Sequence, residues 1–591
     1  MARRHCGRPE YRQAKVKAYV SGDPSSPRAH PTGLPQPAED TATLLRSIAA
    51  AEAEGRIADA IAGSETLVRR TPEERDAWMR LGELQMSAGR VMDAAAAFTH
   101  AARLAPPNPH ALLRLAAAQS AMGMDYQALA NAHAATLLAS AQPEAHLWAG
   151  FYASKLGWLD VAKREVDSLP RDVGGWWASV RDRVRHDEEA LRQAAKLDSD
   201  EIMAWYRDPA AALRVATSRC GAGWLREAER ALEGAAAEPA AALHVASLRA
   251  TIEFRRRGPA AALAILDAWI GPQPAPDPRL IKESARFLAE LGRFEEAVER
   301  LLGLPAANRD GEAWNFLARM VLLRGDHRLL LDVVRGYAEA HSAVTPPYYF
   351  VIAAMRATGA LSVSFGTTAT PPASPPSPRR IMQFWDRTPP DEVMTLIQGW
   401  RDKNPECEHT LLDEPAARHF VAKSLGDAAA GLFERCHHAA MKSDFVRLVW
   451  LHEHGGAYLD ADEACLQPIG PILDALAHVE FIACTSSDPA PYVYNGFIAA
   501  RPGARVLAVA IEDMLRHLSR PDASVKPDIW QITGPGVVTR AVGRVLLDAG
   551  ENGPDPRRLV LLVPERQFRK YASEAAGLAY KQTRAGNWRM A

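Results

Sequence analysis

Two aspartates, Asp460 and Asp462, follow an abrupt end of a predicted helix at Gly455 and Gly456. The segment 439–454 has helical periodicity, and glycine takes the left-handed conformation that a helix C-terminus needs. The letters AYLDAD then predict a short strand that runs into a loop. Carboxylates spaced i, i+2 at a strand end suit Mg²⁺ or Mn²⁺, which prefer oxygen ligands and share coordination positions with phosphate oxygens. The alternative for this common tripeptide is a solvated turn.

Asp444 and Arg447 are three residues apart on the predicted helix and therefore share one face of it. A helix-to-strand hairpin could bring that face near Asp460 and Asp462. The pair can bind a polar substrate, or it can form a buried ion pair that braces the hairpin. The two roles are compatible.

The composition excludes several classes of function. The 591 residues are too many for one hydrophobic core, so several domains are expected. Basic and acidic residues are balanced, 70 against 71, which argues against a nucleic-acid-binding surface or an acidic tail. We therefore expect no nucleic-acid partner. The six cysteines form no CxxC pair and suit a reducing compartment.

The N-terminal letters contain basic residues but lack the apolar core of a secretory signal. No window of about 18 residues is apolar throughout, so no transmembrane segment is expected. These features predict a cytoplasmic protein. Peripheral attachment to the inner face of a membrane, through a partner, stays open.

Shifts in composition divide the chain into four parts. Residues 1–40 are polar and rich in Pro, Gly and Ser, which predicts a disordered arm. Residues 41–360 are rich in Ala, Leu and Arg and have helical periodicity. Residues 361–379 hold a Pro-, Ser- and Thr-rich run that predicts a semi-rigid linker. In residues 380–591 strand-like and helix-like segments alternate, which is typical of an α/β domain.

A period of 34 residues is present near the start of the helical part, as in Gly89, Gly123 and Gly157. The pattern resembles the tetratricopeptide repeat, a helix–turn–helix unit of that length, and predicts a stacked solenoid with a concave face. Weaker copies follow at 221–234 and 290–303, and we expect their spacing to the first three to be irregular. The alternative is an all-helical domain without true repeats.

The helix, the glycine pair and the two aspartates together resemble the DXD glycosyltransferases of the Och1-like group, family 32, which also includes relatives in capsule synthesis. The match extends over about two dozen residues and is specific in type and spacing. The matching residues are Lys442, Ser443, Asp444, Arg447, Leu451, Gly455, Gly456, Tyr458, Asp460 and Asp462.

Further segments resemble this family in the same order along the chain. The letters RRIMQFWD are similar to the opening strand of the family and retain Gln383 and Trp385. Asn495 is expected in a short loop before an apolar strand, and the letters TGP that begin at Thr533 match a turn of the family. The resemblance covers about residues 380–590 and does not extend to the helical part.

The resemblance implies a GT-A fold, an open α/β sheet that binds a nucleotide-sugar beyond the carboxyl ends of its strands. It implies Mn²⁺ or Mg²⁺ as cofactor, with Asp462 as a direct ligand, while Asp460 contacts the donor ribose or reaches the metal through water. Asp444 and Arg447 would bond the hydroxyls of the donor sugar, and Arg447 could also counter the diphosphate charge. These four are the expected catalytic residues.

The resemblance also implies donor-binding residues outside this motif. Gln383 belongs to the opening strand, and Trp385 would stack on the nucleobase, with core packing as the alternative. Tyr458 could bond a phosphate or pack beneath the metal loop. Asn495 is a further donor-binding candidate.

The C-terminal tail departs from the family pattern. The family commonly ends in a segment like HHWxGSW, and here the end reads YKQTRAGNW. Gln582 and Thr583 occupy the two histidine positions, so a neutral oxygen of Thr583 is the candidate for a third protein ligand of the metal. Asn587 and Trp588 would close over the diphosphate.

The motif and the resemblance together predict a metal-dependent glycosyltransferase, and the resemblance implies retention at the anomeric carbon. The enzyme would move a hexose from a nucleotide-sugar, expected to be a UDP-sugar, to a glycan or protein acceptor. The helical part would bind the acceptor or protein partners. The changed tail favours one alternative, a transferase-fold scaffold with weak or lost activity. A repeat-bearing O-GlcNAc transferase shares the domain order, but that family has no D-x-D motif.

Overall fold

The computed structural model of the chain describes residues 41–54, 56–140, 142–169, 175–195, 209–235, 241–271, 276–361, 378–486, 490–520, 528–549, 553–575 and 578. The chain divides into two compact units between Asn308 and Arg309. The predicted arm 1–40 and residues 362–377 of the predicted linker lie outside the described residues.

The described residues of the first unit form a succession of α-helices, many of them joined by short turns. Their bounds are α1 Thr41–Glu54, α2 Ile57–Arg70, α3 Arg75–Ser87, α4 Val91–Arg103, α5 Pro109–Ala121, α6 Asp125–Leu138, α7 Pro143–Lys155, α8 Leu159–Asp167, α9 Gly175–Ala195, α10 Pro209–Gly221, α11 Leu225–Ala235, α12 Ala242–Arg257, α13 Pro259–Ile270, α14 Pro278–Glu290 and α15 Phe294–Leu302.

Glycines with positive φ mark the turns inside the helix pairs. Gly89, Gly123 and Gly157 have φ of 75°, 78° and 70°, a region that most other residues avoid. The predicted period of 34 residues is therefore confirmed in this stretch. Such glycines then recur every 33 to 35 residues from Gly223 to Gly359. Gly223 follows Gly157 by 66 residues, which is not a multiple of 34, so the later copies are regular among themselves and the irregular spacing expected between them and the first three is confirmed. The glycines recur in these copies because the positive φ of each turn requires glycine. The other positions of the repeat carry no such requirement, so their residue types diverge.

Side chains from helix pairs far apart in the sequence meet inside the first unit. The ring centroids of Tyr126 and Trp158 lie 5.3 Å and 5.6 Å from that of Phe254. Glu290, the last residue of α14, is 2% exposed and accepts hydrogen bonds from the backbone N–H of Tyr126 at 3.0 and 3.1 Å. Its carboxylate thus lies at the N-terminus of α6, where unpaired N–H groups favour an acceptor. Burial nevertheless raises the pKa of Glu290 to about 8.

This raised pKa predicts that the first unit loses stability as the pH rises. An unfolded glutamate releases its proton near pH ~4.3, whereas Glu290 in the folded chain keeps its proton until about pH 8. The free energy of unfolding is therefore highest below pH ~4.3. It falls as the pH rises from there to about 8 and is level above that. We expect Glu290→Gln to remove most of this loss, which is on the order of a few kcal/mol.

Urea unfolding of the full chain at about pH 5 and about pH 8.5 measures the effect. Glu299→Gln, which changes an exposed glutamate on the neighbouring helix α15, is the matched control and should keep the pH dependence of the parent. An unchanged pH dependence in Glu290→Gln would contradict the prediction.

The second unit begins with helices and continues into an α/β domain. The helices before the sheet are α16 Gly311–Arg324, α17 His327–Ala340 and α18 Pro346–Ala357. The strands are β1 Arg380–Phe384, β2 Glu408–Leu412, β3 Gly456–Leu459, β4 Glu463–Cys465, β5 Phe481–Thr485, β6 Val493–Ala500, β7 Val560–Pro564 and β8 Ala572–Glu574. The helices of the α/β domain are α19 Asp391–Lys403, α20 Glu414–Leu425, α21 Asp427–Glu434, α22 Ala439–His454, α23 Gly470–Ala475, α24 Arg505–Leu518, α25 Ile529–Ile532, α26 Pro535–Asp548, α27 Pro556–Leu559 and α28 Glu565–Phe568.

A mixed sheet in the order β2-β1-β3-β6-β5-β7 forms the centre of the α/β domain. β1 pairs in parallel with β2 and β3, and β5 pairs in parallel with β7. β6 runs antiparallel between β3 and β5. The carboxyl ends of β1, β3, β5 and β7 therefore share one edge with the amino end of β6. β4 and β8 form a separate antiparallel ribbon.

The predicted order of a helical repeat part followed by an α/β domain is confirmed. Residues 439–454 form α22, and Gly455 and Gly456 follow it with φ of 65° and 100°. A Cβ atom at Gly456 would lie 2.5 Å from the backbone oxygen of Arg380, so β3 reaches β1 only because this residue is glycine. Among the described residues, none of the helices combines the length and the apolar character that crossing a membrane requires.

The helices α16, α17 and α18 belong to the same compact unit as the sheet, because this unit begins at Arg309. α18 packs closely on α26, where a Cβ atom at Gly543 would lie 2.6 Å from the side chain of Tyr348. The division of the chain at residues 361–379 stays a prediction.

Candidate functional site

A cleft of about 530 Å³ opens in the α/β domain and contains residues from the shared edge of the sheet. Its walls come from the chain after β1 and β3, the first turns of α22, the start of β6, the helix α25 and the chain after β7. The lining residues used below are Trp385, Asp386, Asp444, Arg447, Tyr458, Asp460, Asp462, Glu463, Tyr492, Tyr494, Asn495, Gly496, Trp530 and Arg569. Most of the residues singled out from the sequence therefore lie together.

Asp460, directly after β3, is held in one orientation. Its backbone N–H donates to the oxygen of Gly496 at 3.0 Å, and its Oδ1 accepts a hydrogen bond from the Tyr458 hydroxyl at 2.7 Å. The same Oδ1 lies 3.3 Å from Nη2 of Arg447, and the side chain is 38% exposed. A Cβ atom at Gly496 would lie 2.7 Å from Oδ2, so the carboxylate needs glycine at this place in β6.

The surroundings of Asp460 weaken its acidity. Burial raises its pKa to about 6, the neighbouring charge of Asp462 adds to the rise, and Arg447 opposes it. Asp460 therefore holds a proton more readily than an ordinary aspartate does.

Asp462 lies in the turn between β3 and β4, is half-buried and lines the cleft. Together with Asp460 it presents hard oxygen donors, the type that Mg²⁺ and Mn²⁺ prefer. The described residues include no group of three or more His, Cys, Asp or Glu side chains arranged to hold a metal ion. A cation here would keep water or substrate oxygens as its other ligands, which is usual for Mg²⁺ at phosphate sites. The donor set fits such an ion.

Asp444 and Arg447 form the ion pair that the sequence offered as one of two roles. Nη2 of Arg447 lies 3.1 Å from Oδ1 of Asp444, and the two side chains are 5% and 7% exposed. Asp444 also accepts hydrogen bonds from Nδ2 of Asn495 at 2.8 Å and from Oγ1 of Thr533 at 3.0 Å. Burial raises the pKa of the carboxyl, while Arg447 and these two donors lower it.

The guanidinium of Arg447 joins three parts of the site. It lies 4.1 Å above the ring of Tyr458 and donates to the backbone oxygen of Asn495. Within α22 it donates to the backbone oxygen of Ser443 at 3.2 Å and to its hydroxyl at 3.0 Å. That hydroxyl lies 2.8 Å from the Tyr458 hydroxyl. The buried guanidinium of Arg447 thus holds together α22, the start of β6 and β3, the strand that precedes the D-x-D turn.

Two further candidates from the sequence lie elsewhere than expected. Gln383 is fully buried in β1 and is not among the cleft-lining residues; its Nε2 reaches the backbone oxygen of Asp460 at 3.5 Å. Asn495 lines the cleft but lies within β6 and not in a loop, because antiparallel pairing with β5 already begins at Val493. Trp385, by contrast, follows β1 and lines the cleft as expected.

The tail candidates cannot be placed in this site. Thr583, predicted as the third metal ligand, and Asn587 and Trp588, predicted to cover the diphosphate, lie outside the described residues. Their roles stay predictions.

An aromatic cluster in the cleft was missed in the sequence. The ring centroid of Tyr492 lies 4.9 Å from that of Tyr494 and 5.8 Å from that of Trp530. The spacing of the two tyrosines, i and i+2 at the start of a strand, is a signal that could have indicated a shared face. Nothing around Trp530 in the sequence points to this place.

A buried acid–base cluster beneath the D-x-D turn was also missed. Glu463 is 8% exposed, and its Oε1 lies 2.8 Å from Nη1 of Arg569. Arg569 also contacts Glu565 at 2.9 Å and Glu574 at 3.2 Å. Burial and the charge of Asp460 raise the pKa of Glu463 to about 7. The pairing of β4 with β8 brings these distant segments together.

Part of this domain matches a protein family. Residues 390–479 match the family described as "Glycosyltransferase sugar-binding region containing DXD motif". Both aspartates of the D-x-D turn, together with Asp444 and Arg447, fall inside this range.

The chain is also similar to curated proteins. It is 26% identical over 174 residues to the initiation-specific alpha-1,6-mannosyltransferase of Schizosaccharomyces pombe, a match that covers 26% of this chain and 44% of that protein. It is 27% identical over 150 residues to an uncharacterized glycosyltransferase of Acanthamoeba polyphaga mimivirus, covering 25% of this chain and 58% of that protein. The chain therefore spans about half the length of these relatives.

Solved structures resemble the two parts of the chain at low overall scores. The PaToxG glycosyltransferase is 17% identical with a TM-score of 0.24, over 29% of this chain and 70% of that chain. A tetratricopeptide repeat protein from Parabacteroides merdae is 16% identical with a TM-score of 0.22, over 48% of this chain and 98% of that chain. Residues 390–479 of the α/β domain thus resemble the sugar-binding region of DXD glycosyltransferases, and the α/β sheet with its cleft at the strand ends agrees with the GT-A fold that the sequence predicts.

Proposed function

We propose that this domain transfers a hexose from a nucleotide-sugar to an acceptor hydroxyl with retention at the anomeric carbon, and that it needs a divalent cation. The observation that carries the proposal is the juxtaposition of Asp460 and Asp462 with the buried Arg447 in a cleft at the strand ends. Paired carboxylates beside a permanent positive charge suit a cation–diphosphate complex.

Asp462 would be the direct ligand of Mn²⁺ or Mg²⁺, and Asp460 would contact the donor ribose or reach the ion through water. When bound, the cation would neutralise charge that develops on the diphosphate leaving group. The Tyr458 hydroxyl donates a hydrogen bond to Oδ1 of Asp460, which supports a role beneath the metal loop over a direct bond to phosphate. Gln383, which contacts the backbone of Asp460, would support this loop from behind.

Asp444 and Arg447 would bind the hydroxyls of the donor sugar at the cleft surface while keeping their ion pair. Arg447 cannot lose its proton under ordinary conditions, so its positive charge is available to the diphosphate at every working pH. Asn495 would orient Asp444 through the hydrogen bond from its Nδ2. Trp385 would stack on the nucleobase at the β1 end of the cleft.

The aromatic cluster supports a carbohydrate as the acceptor. Neighbouring strands lie about 4.8 Å apart, and β3 separates β1 from β6 in the sheet. Trp385 and the pair Tyr492 and Tyr494 therefore lie on opposite sides of the D-x-D turn. Aromatic rings combine apolar area with a polar handle, which suits the apolar face of a pyranose. We assign this end of the cleft to a glycan acceptor, and the helical part to binding of the acceptor or of protein partners.

The donor class can be tested directly with the full chain. UDP-glucose, UDP-galactose, UDP-N-acetylglucosamine and GDP-mannose form the panel; the mannose donor is included because the similar yeast protein is named a mannosyltransferase. We expect one donor to be hydrolysed slowly with Mn²⁺, to be stable with EDTA, and to be hydrolysed again when Mn²⁺ is restored. UDP-sugars are the expected class.

The changed tail, with Gln582 and Thr583 in place of histidines, favours one rival function. In that case the domain is a scaffold with weak or lost activity that acts through protein interactions. If the panel yields neither turnover nor binding with Mn²⁺, the scaffold replaces the transferase.

A further inference from the structure

One wall of the cleft includes Ile529 and Trp530, and we call residues 529–533 the wall segment. It contains α25 and the residue that follows it. Trp530 lines the cleft, and Oγ1 of Thr533 donates to Oδ2 of Asp444 at 3.0 Å. The wall segment is short, so its position depends on what holds it from outside.

Thr345, the residue that directly precedes α18, holds the wall segment from behind. It is fully buried, and its Oγ1 donates to Oε1 of Gln531 at 2.7 Å. Oγ1 of Thr345 also accepts a hydrogen bond from Nη1 of Arg540 at 3.0 Å. Gln531 lies in the sequence between Trp530, which lines the cleft, and Thr533, which bonds Asp444. A residue of the helical part thus reaches the back of the proposed donor site.

Arg540 completes this connection. It is fully buried, donates from Nη2 to the backbone oxygen of Gln531 at 2.8 Å, and pairs with Asp513 at 2.6 Å. Arg544 pairs with the same aspartate at 2.9 Å and donates to the backbone oxygen of Ser342 at 2.8 Å. Buried polar networks of this kind fix one geometry when their members are satisfied.

We propose that Thr345 is a positioning residue of the donor site and that α18 is a working part of the transferase, not a detachable adaptor. Without the Thr345 hydroxyl, Oε1 of the half-buried Gln531 loses its shorter hydrogen bond and keeps the longer one from Nη1 of Arg540 at 3.3 Å, so the wall segment gains freedom. Thr533 then holds Asp444 less firmly. The inference rests on the proposed donor site, because Asp444 is assigned to the donor sugar.

The first test needs no donor. Thr345→Val removes the bridging hydroxyl and keeps the shape of the side chain. Tyr348→Phe is the matched control: it removes a hydroxyl from the first turn of α18, three residues after Thr345, and this hydroxyl bonds Ser342 and Arg544 and not the wall segment. We expect amide hydrogen exchange of residues 529–534 to become about tenfold faster in Thr345→Val, the effect of one lost buried hydrogen bond. Thr345→Ser should restore the parent rate.

Two results would overturn the inference. One is unchanged exchange of residues 529–534 in Thr345→Val. The other is an equal acceleration in Thr345→Val and Tyr348→Phe, because the segment would then respond only to general loosening of the interface.

The second test uses UDP-glucose and GDP-mannose, each with Mn²⁺. We expect Thr345→Val to raise the KM for the donor that the parent uses about tenfold, with kcat changed less than about twofold. A merely structural role would lower the active fraction and hence kcat, with KM unchanged, and would contradict the inference. If the parent uses neither donor, the proposed function has failed for these donors, and the exchange experiment alone decides the role of Thr345.

Discussion

Asp462→Ala is expected to lower the rate of metal-dependent sugar transfer by about 10³-fold, which corresponds to about 4 kcal/mol of transition-state stabilisation. The substitution removes the proposed direct carboxylate ligand of the cation, and Asp460 is proposed to reach the ion through water and so cannot replace it. The change should leave the fold intact, because Asp462 lies half-buried in a turn. A donor with Mn²⁺ at a hundred times its dissociation constant should stabilise the parent by about 2.7 kcal/mol. We expect this stabilisation to vanish in the variant, while the melting temperature without ligand stays close to that of the parent.

The matched control is Asp386→Asn, which removes a negative charge from the same cleft without removing a proposed metal ligand. Asp386 lines the cleft next to Trp385 and pairs with Arg387 at 3.1 Å. We expect this control to lose less than about tenfold in rate and to keep the stabilisation by donor and Mn²⁺. Equal stabilisation in Asp462→Ala and the parent would reject the metal assignment.

Arg447→Met should destabilise the fold by about 3 to 5 kcal/mol, because it leaves a carboxylate buried without its counter-charge. Asp444 has its side chain 7% exposed and would keep only its neutral partners Asn495 and Thr533. The loss should be larger at alkaline than at acidic pH. Removing Arg447 raises the pKa of Asp444 further, so the folded variant binds a proton that the unfolded chain releases. Urea unfolding at about pH 5 and about pH 8 measures both effects.

Lys442→Met is the control on the same helix. Lys442 pairs with Glu414, which is 40% exposed, and the loss of such a partly exposed pair should cost less than about 1 kcal/mol. The double variant of Asp444→Asn with Arg447→Met should recover part of the stability lost by Arg447→Met alone, because no uncompensated charge remains. A cost below about 1 kcal/mol for Arg447→Met would mean that the ion pair does not brace the domain.

Local sequence determined the parts of the site that depend on a single stretch of chain. The apolar period of residues 439–454, followed by Gly455 and Gly456, is enough to end a helix and to start a strand that leads to Asp460 and Asp462. The spacing of Asp444 and Arg447 likewise fixes their shared helix face. The same holds for the repeat turns, where one glycine per 34 residues carries the signal. These features are confirmed because short-range geometry leaves little choice.

Only the tertiary structure decided which distant groups meet. Gln531 and Thr345 are 186 residues apart and form one hydrogen bond, while Glu463 and Arg569, 106 residues apart, form one ion pair. No local pattern encodes such contacts, because they arise from the strand order and from the packing of α18 on α26. For the same reason the sequence misplaced Asn495 in a loop: the pairing of β5 with β6 extends the strand beyond its apolar letters.

The sequence by itself determined the chemistry that the chain offers, since residue types and short spacings fix which groups can share a helix face or a strand end. The tertiary structure decided how each group is used, because burial and long-range contacts set its orientation, its partners and its pKa. Asp460 illustrates the division. The sequence shows that Asp460 follows a strand-like segment. The hydrogen bond from its backbone N–H to Gly496 and its raised pKa follow only from the fold.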